Sequence, residues 1–140
     1  GINVCLGTDG QGSGNNLSMI NLMSTALLLQ NGIYKDPNTL STYKMLEMAT
    51  INAAKAYKKD NLIGTIDVCK NANLILINPT SAQMYPINNI FSDIVYNTTL
   101  NDIDTVIING KIIMENKKLV NINKNLIIEK SIKFANELLD

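Results

Sequence analysis

The apolar run Ile2–Leu6 stops at Gly7-Thr8-Asp9-Gly10, and this junction limits what the chain can fold into. Such a run reads as a buried strand ending in a carboxylate. The C-terminal tip of a parallel strand is where a barrel enzyme places a catalytic or metal-binding group. A complete eight-stranded barrel needs about 250 residues, and this chain has 140, so it cannot contain one. At that size one compact domain buries roughly two-thirds of the surface its unfolded chain exposes. The chain has no histidine, and so lacks the side chain that most often completes a zinc site or serves as a base near neutral pH. If Asp9 does chemistry, its partners lie outside these residues.

Twelve basic and twelve acidic side chains cancel, and they are scattered rather than blocked. This argues against a nucleic-acid grip and against a patch for anionic membranes. The chain opens at Gly1 and enters its first strand almost at once, which leads us to expect a fragment of a longer protein. Apolar runs such as Leu74–Ile77 are too short to span a bilayer and no signal-peptide pattern precedes them, so a cytoplasmic location is expected. Cys5 and Cys69 each sit in or beside an apolar stretch. They are expected to be small buried residues of a reducing compartment rather than a disulfide or metal ligands.

After the first strand, Gly10-Gln11-Gly12-Ser13-Gly14 predicts a flexible loop, with Asn15 or Asn16 capping a helix from about Leu17 to Gln30. Met19, Leu22, Met23, Ala26 and Leu27 repeat at helical spacing. Asn31-Gly32 is expected to end this helix, and Thr39 or Ser41 to cap a second one reaching about Tyr57. Leu40, Tyr43, Leu46, Thr50, Ala53 and Tyr57 form its inward stripe. Tyr43 and Tyr57 are expected to be packed, and the methionines at 19, 23, 45 and 48 to fill core gaps.

From Leu62 the period changes. Ile66 and Val68 alternate with polar neighbours, Leu74–Ile77 reads as a buried strand, and Thr105–Ile108 and Lys111–Met114 flank Asn109-Gly110. Asn-Gly between β-branched runs is the strongest short-range hairpin signal, because a type I′ turn needs positive φ at both central residues. Residues 79–99 read as a long connection with a short helical turn near Ile90, and helical spacing returns through Ile128, Ile132, Ala135 and Leu139 after a cap at Asn123 or Asn125. The expected segments are residues 1–60, a last barrel strand with two helices; 61–121, part of a small β domain; and 122–140, a closing helix.

Taken in order, Gly7-Thr8-Asp9-Gly10, Ser13, Asn15-Asn16, Glu47-Met48-Ala49-Thr50, Ile63-Gly64-Thr65-Ile66 and Val106-Ile107-Ile108-Asn109-Gly110-Lys111 resemble the C-terminal part of the metal-dependent amidohydrolase superfamily. The similar branch is that of S-adenosylhomocysteine and methylthioadenosine deaminases, guanine deaminase and chlorohydrolases. The resemblance implies an α/β fold. The chain would be a fragment of a (β/α)8 barrel, its last strand and terminal helices, joined to part of a small composite β-sheet domain and a C-terminal helix.

It also implies that Asp9 binds a catalytic divalent metal, expected to be zinc, and accepts a proton from the metal-bound water. A metal lowers that water's pKa toward neutrality, and an adjacent carboxylate can relay its proton. The remaining ligands would be histidines from absent strands, so the fragment alone is expected to be inactive and to hold no metal. Ser13 and Asn16 would line the substrate pocket, although capping of the following helix is an equal reading of them. The spacing of Gly10, Gly12 and Gly14 is not that of a phosphate-binding loop. The function this implies is hydrolytic deamination of a C–N bond in a purine-like or heterocyclic small molecule. A non-catalytic structural or interaction module, and chlorohydrolase-type removal of a ring halide, are the alternatives. With pairing partners missing, exposed apolar surface covered by another chain or by self-association is expected.

Overall fold

The structure, a computed structural model, describes residues 1–139. Their order is a run without regular structure to Gly10, four helices, a strand, a long irregular excursion, three further strands and a final helix. The first helices are the single turn α1 (Gln11–Gly14), α2 (Met19–Tyr34), α3 (Thr42–Ala49) and α4 (Ile51–Ala56). Strand β1 (Leu74–Ile77) leads through α5 (Ile90–Ser92) to β2 (Ile103–Ile108), β3 (Lys111–Glu115) and β4 (Lys118–Leu119), and α6 (Lys124–Leu139) closes the chain.

Capping chemistry sets the helix starts. Ser18 Oγ accepts from Asn21 N–H at the head of α2, and Ser41 Oγ accepts from Lys44 N–H at the head of α3. Asn16 acts one step earlier than expected, accepting from Ser18 N–H at 2.8 Å. Helix α2 runs through Asn31-Gly32, contrary to expectation, and stops where Lys35 turns left-handed (φ 52°) with its N–H returned to the helix. Asn31 stays helical because its side chain ties the next loop down, donating to Pro37 O (3.1 Å) and accepting from Leu40 N–H (3.1 Å).

The expected continuous second helix is broken at Thr50, whose φ and ψ are −127° and −92°. The Thr50 hydroxyl donates to Leu46 O at 2.6 Å, the kind of side-chain bond that competes with the helical ladder. The expected glycine loop is instead the turn α1, closed by Gly14 N–H on Gly10 O at 2.8 Å.

Four antiparallel strands form one sheet in the order β1-β2-β3-β4. Asn109 and Gly110 both have positive φ (49° and 74°), the left-handed pair that a two-residue hairpin needs. Ile108 pairs with Lys111 directly across the turn. A second tight turn at Asn116-Lys117, also with positive φ at both residues, starts β4. Ile66 and Val68 are almost wholly exposed and form no strand. Their loop is folded on itself instead: Lys70 Nζ donates to Asp60 O and Thr65 Oγ1, and Asn71 N–H donates to Leu62 O.

The core joins the helices to the excursion between β1 and β2. Ile20, Met23 and Leu27 from α2, Met45 from α3, and Val95 are buried together, with Leu6, Leu40, Met48 and Ile103 packed around them. Val95 arrives on a π-helical stretch, Asp93–Asn97, that continues α5. Met23 and Met45 thus fill the core as expected. Tyr43 and Tyr57 do not pack as expected: both are exposed, and Tyr43 only meets Phe91 edge-on, with centroids 5.1 Å apart. Cys5 and Cys69 are free and exposed rather than buried. Cys5 precedes inward-packed Leu6, so on an extended run it faces the other way, and Cys69 sits at φ 67° in an exposed turn. The described side chains of α6 are all exposed.

Candidate active site

The run Gly1–Gly10 forms no β-ladder among the described residues. Its polar groups meet α3 and α4 instead. Leu6 N–H donates to Met48 O (3.0 Å), Asn52 Nδ2 donates to Val4 O (2.9 Å), and Asn3 Nδ2 donates to Asn52 O (2.9 Å). Leu6 is half-buried against the core while Ile2 is 93 % exposed.

Just past this anchored run the backbone turns left-handed at Asp9 (φ 58°), a conformation that Asp adopts more readily than most residues because its short side chain bonds locally. Asp9 Oδ1 accepts from Gly10 N–H at 2.7 Å, and Thr8 Oγ1 donates to Asp9 O at 3.3 Å. The carboxylate is exposed. Turn α1 follows directly, its Ser13 N–H bonded to Gly10 O at 3.0 Å. Ser13 is therefore held near the Asp9 loop with an exposed side chain, whereas Asn16 Oδ1 is engaged by Ser18 N–H just before α2.

A hard divalent cation would find one suitable oxygen ligand in Asp9. Among the described residues no group of three or more His, Cys, Asp or Glu side chains could hold a metal ion. Asp9 fits the role of one ligand within a larger set, not that of a complete site.

Sequence reasoning missed three polar residues. Asn52 is 8 % exposed inside a helix, and the signal for its partner was an amide side chain, Asn3, within an otherwise apolar run. Asp102 is fully buried. It accepts from the backbone and hydroxyl groups of Thr99, Thr80 and Ser81 at 2.8 to 3.3 Å. The spacing Thr99 to Asp102 is that of a capping motif and could have marked it. These donors, Thr99 N–H foremost, hold the Asp102 carboxyl well below the usual carboxylate range despite its burial. Asp93 is buried too: Oδ1 accepts from Asn97 Nδ2 at 2.9 Å, and Oδ2 has no hydrogen-bond partner.

Residues 1–113 match the amidohydrolase family. The chain belongs to that family. It is 44 % identical over 124 residues to a 5-methylthioadenosine/S-adenosylhomocysteine deaminase of Acetivibrio thermocellus, covering 89 % of this chain and 29 % of the relative. It is 40 % identical over 139 residues to a 5'-deoxyadenosine deaminase of Methanococcoides burtonii, covering 99 % of this chain and 32 % of the relative. This amidohydrolase chain also superposes on a crystal structure of an adenosine deaminase from Xanthomonas campestris with bound zinc. The TM-score is 0.92 at 25 % identity, over 97 % of this chain and 31 % of that one. The chain thus spans about a third of the length of the proteins it matches. The mixed helix and strand architecture follows that of solved amidohydrolases, with a small antiparallel sheet alongside. No helix among the described residues is long and apolar enough to cross a membrane.

Proposed function

We propose that this chain is the C-terminal part of a metal-dependent amidohydrolase that hydrolytically deaminates an adenosine-like nucleoside. The observation that carries this reading is the position of Asp9. It is the exposed carboxylate in the loop that follows the anchored run, within a chain whose relatives are named for deamination of adenosine-type compounds. The likeness to a structure with bound zinc supports zinc as the metal.

When bound, a divalent metal would supply Lewis acidity and an acidified water. Asp9 would contribute one ligand oxygen, and its carboxylate would take up the proton that the attacking water gives up. Carbon–oxygen bond formation at the ring carbon is matched by cleavage of the exocyclic C–N bond, and the proton passes on to the departing nitrogen, which leaves as ammonia. Gly10 N–H orients the carboxylate meanwhile. Ser13, exposed on α1 beside the Asp9 loop, would line the substrate pocket in this reading. Asn16, whose Oδ1 accepts from Ser18 N–H, would line it alongside.

In this reading residues 1–60 supply the closing barrel strand and its helices, 61–121 part of the small β domain, and 122–140 a terminal helix. The exposed apolar side chains Ile2, Leu28, Leu29, Ile33 and Tyr34 support their being covered by further polypeptide or by self-association. Asp9→Asn in the full-length enzyme tests the proposal. Metal content, measured by elemental analysis, and adenosine-analogue deamination should both collapse. Retention of both would instead favour a non-catalytic module.

A further inference from the structure

We propose that Asn109-Gly110 is a site of spontaneous deamidation, and that residues 71–73 gate it by gripping the hairpin tip. The proposal does not depend on the reading of Asp9. An asparagine followed by glycine is the context most prone to this reaction, because no side chain shields the attacking nitrogen. Water is the only co-reactant. Gly110 N attacks Asn109 Cγ and gives up its proton, the Cγ–Nδ2 bond breaks, ammonia leaves, and a succinimide ring closes. Water then opens the ring at Cγ, giving an aspartyl residue, or at the main-chain carbonyl carbon, giving an isoaspartyl one.

The chain holds two such dipeptides, Asn31-Gly32 and Asn109-Gly110, and they stand in different surroundings. Asn31 and Gly32 lie inside α2. Asn31 Nδ2 donates to Pro37 O and its Oδ1 accepts from Leu40 N–H, so the helix and both amide bonds hold Cγ away from the next nitrogen. Asn109 and Gly110 are exposed at the tip of the β2–β3 hairpin. There, Asn71, Ala72, Asn109 and Gly110 line a cleft open to water.

The tip is nevertheless held. Gly110 N–H donates to Ala72 O at 3.0 Å, Asn109 N–H donates to Asn73 Oδ1 at 2.7 Å, and Asn109 Oδ1 accepts from Asn71 Nδ2 at 3.3 Å. The first bond occupies the N–H that must be given up, and the third fixes the amide that must turn toward it. Residues 71–73 are exposed and precede β1 without joining the ladder, so a local opening frees the tip while the sheet stays paired. The reaction proceeds from that opened state, and its rate follows the opened fraction. An isoaspartyl link adds a carbon to the main chain, after which Ile108 and Lys111 no longer face each other across a two-residue turn.

The test ages the full-length enzyme in mildly alkaline buffer and follows it by peptide mapping with isoaspartate detection, with hydrogen exchange of the Gly110 amide measured in parallel. Asn73→Ala removes one bond of the grip, and Asn71→Ala removes another should Asn73→Ala not fold. Asn109→Gly keeps a turn that Gly-Gly also fits and removes the reacting amide. We expect isoaspartate at position 109 in the wild type, none at position 31 over the same period, and none at 109 in Asn109→Gly. In the grip variants the Gly110 amide should exchange faster. Isoaspartate should form about two- to tenfold faster there, the gain in opened fraction when one hydrogen bond is lost. No product at 109 in either the wild type or the grip variants, or modification of Asn31 ahead of it, would overturn the site. An unchanged rate of modification in the folded grip variants would overturn the gate.

Discussion

Asp102→Ala should destabilise the protein by about 2–4 kcal/mol, and the figure follows from what surrounds the carboxylate. Fully buried Asp102 accepts three backbone N–H groups, from Thr99, Thr80 and Ser81, and the hydroxyls of the same residues. Removing it leaves three N–H groups without an acceptor, at about 1–3 kcal/mol for each one kept from water. Thr80 is exposed, and Ser81 and Thr99 are half-buried, so water reaches part of the shell and the sum belongs at the lower end. For a chain of this size the loss is a fall in melting temperature of about 10 °C.

The same site gives a pH signature. The native carboxyl is held below its unfolded pKa of about 3.9. Its contribution is complete above that value and is lost as pH falls below it and through the folded value. Asp102→Asn keeps the shape and lacks the titration. Urea midpoints measured from about pH 5 down to about pH 2.5 should therefore fall more steeply for the wild type than for Asp102→Asn. Parallel pH profiles, or a cost below about 0.5 kcal/mol for Asp102→Ala, would refute the reasoning.

Two further substitutions probe the packing. Leu27→Ala removes a side chain of zero exposure at the centre of the core and should cost about 2–5 kcal/mol by chemical denaturation, because the rigid surroundings close only partly over the cavity. Gly64→Ala should cost about 2 kcal/mol or more in the same assay: Gly64 has φ 97°, and an added Cβ would lie 2.7 Å from Ala54 Cβ and 3.0 Å from Ile51 Cα.

What could be read from the residues divides along a physical line. The Asn109-Gly110 hairpin, the Asn123 cap, which accepts from Leu126 N–H at 3.0 Å, and the helical turn at Ile90 rest on local chemistry, and each stands where its residues placed it. The Asn116-Lys117 turn escaped notice because lysine carries no signal for positive φ. The break at Thr50 is hidden because the helical stripe runs through Thr50 itself. Expected burial fails where an apolar residue finds no partner, as at Tyr57, Cys5 and Ile75 and Leu76 of the expected buried strand, because burial depends on what lies opposite. At the candidate site Asp9 was legible from its loop, but the residues that hold the loop were not. Asn3 and Asn52 lie 49 positions apart, and a polar pair at that distance leaves no periodic trace.

The excursion 78–102 lies between two strands that are hydrogen-bonded neighbours, β1 and β2, and this biases the order of assembly. The β2–β3 hairpin closes over two residues and can form within microseconds. Joining β1 to β2 closes the whole excursion and costs more chain entropy than the two-residue hairpin, so β1 is expected to join later, alongside docking of Val95 against α2 and α3. Until then the isoleucine-rich outer edge of β2 stands bare. Delay at that step would leave the strand free to pair with another molecule's edge, making it the point where aggregation competes with folding.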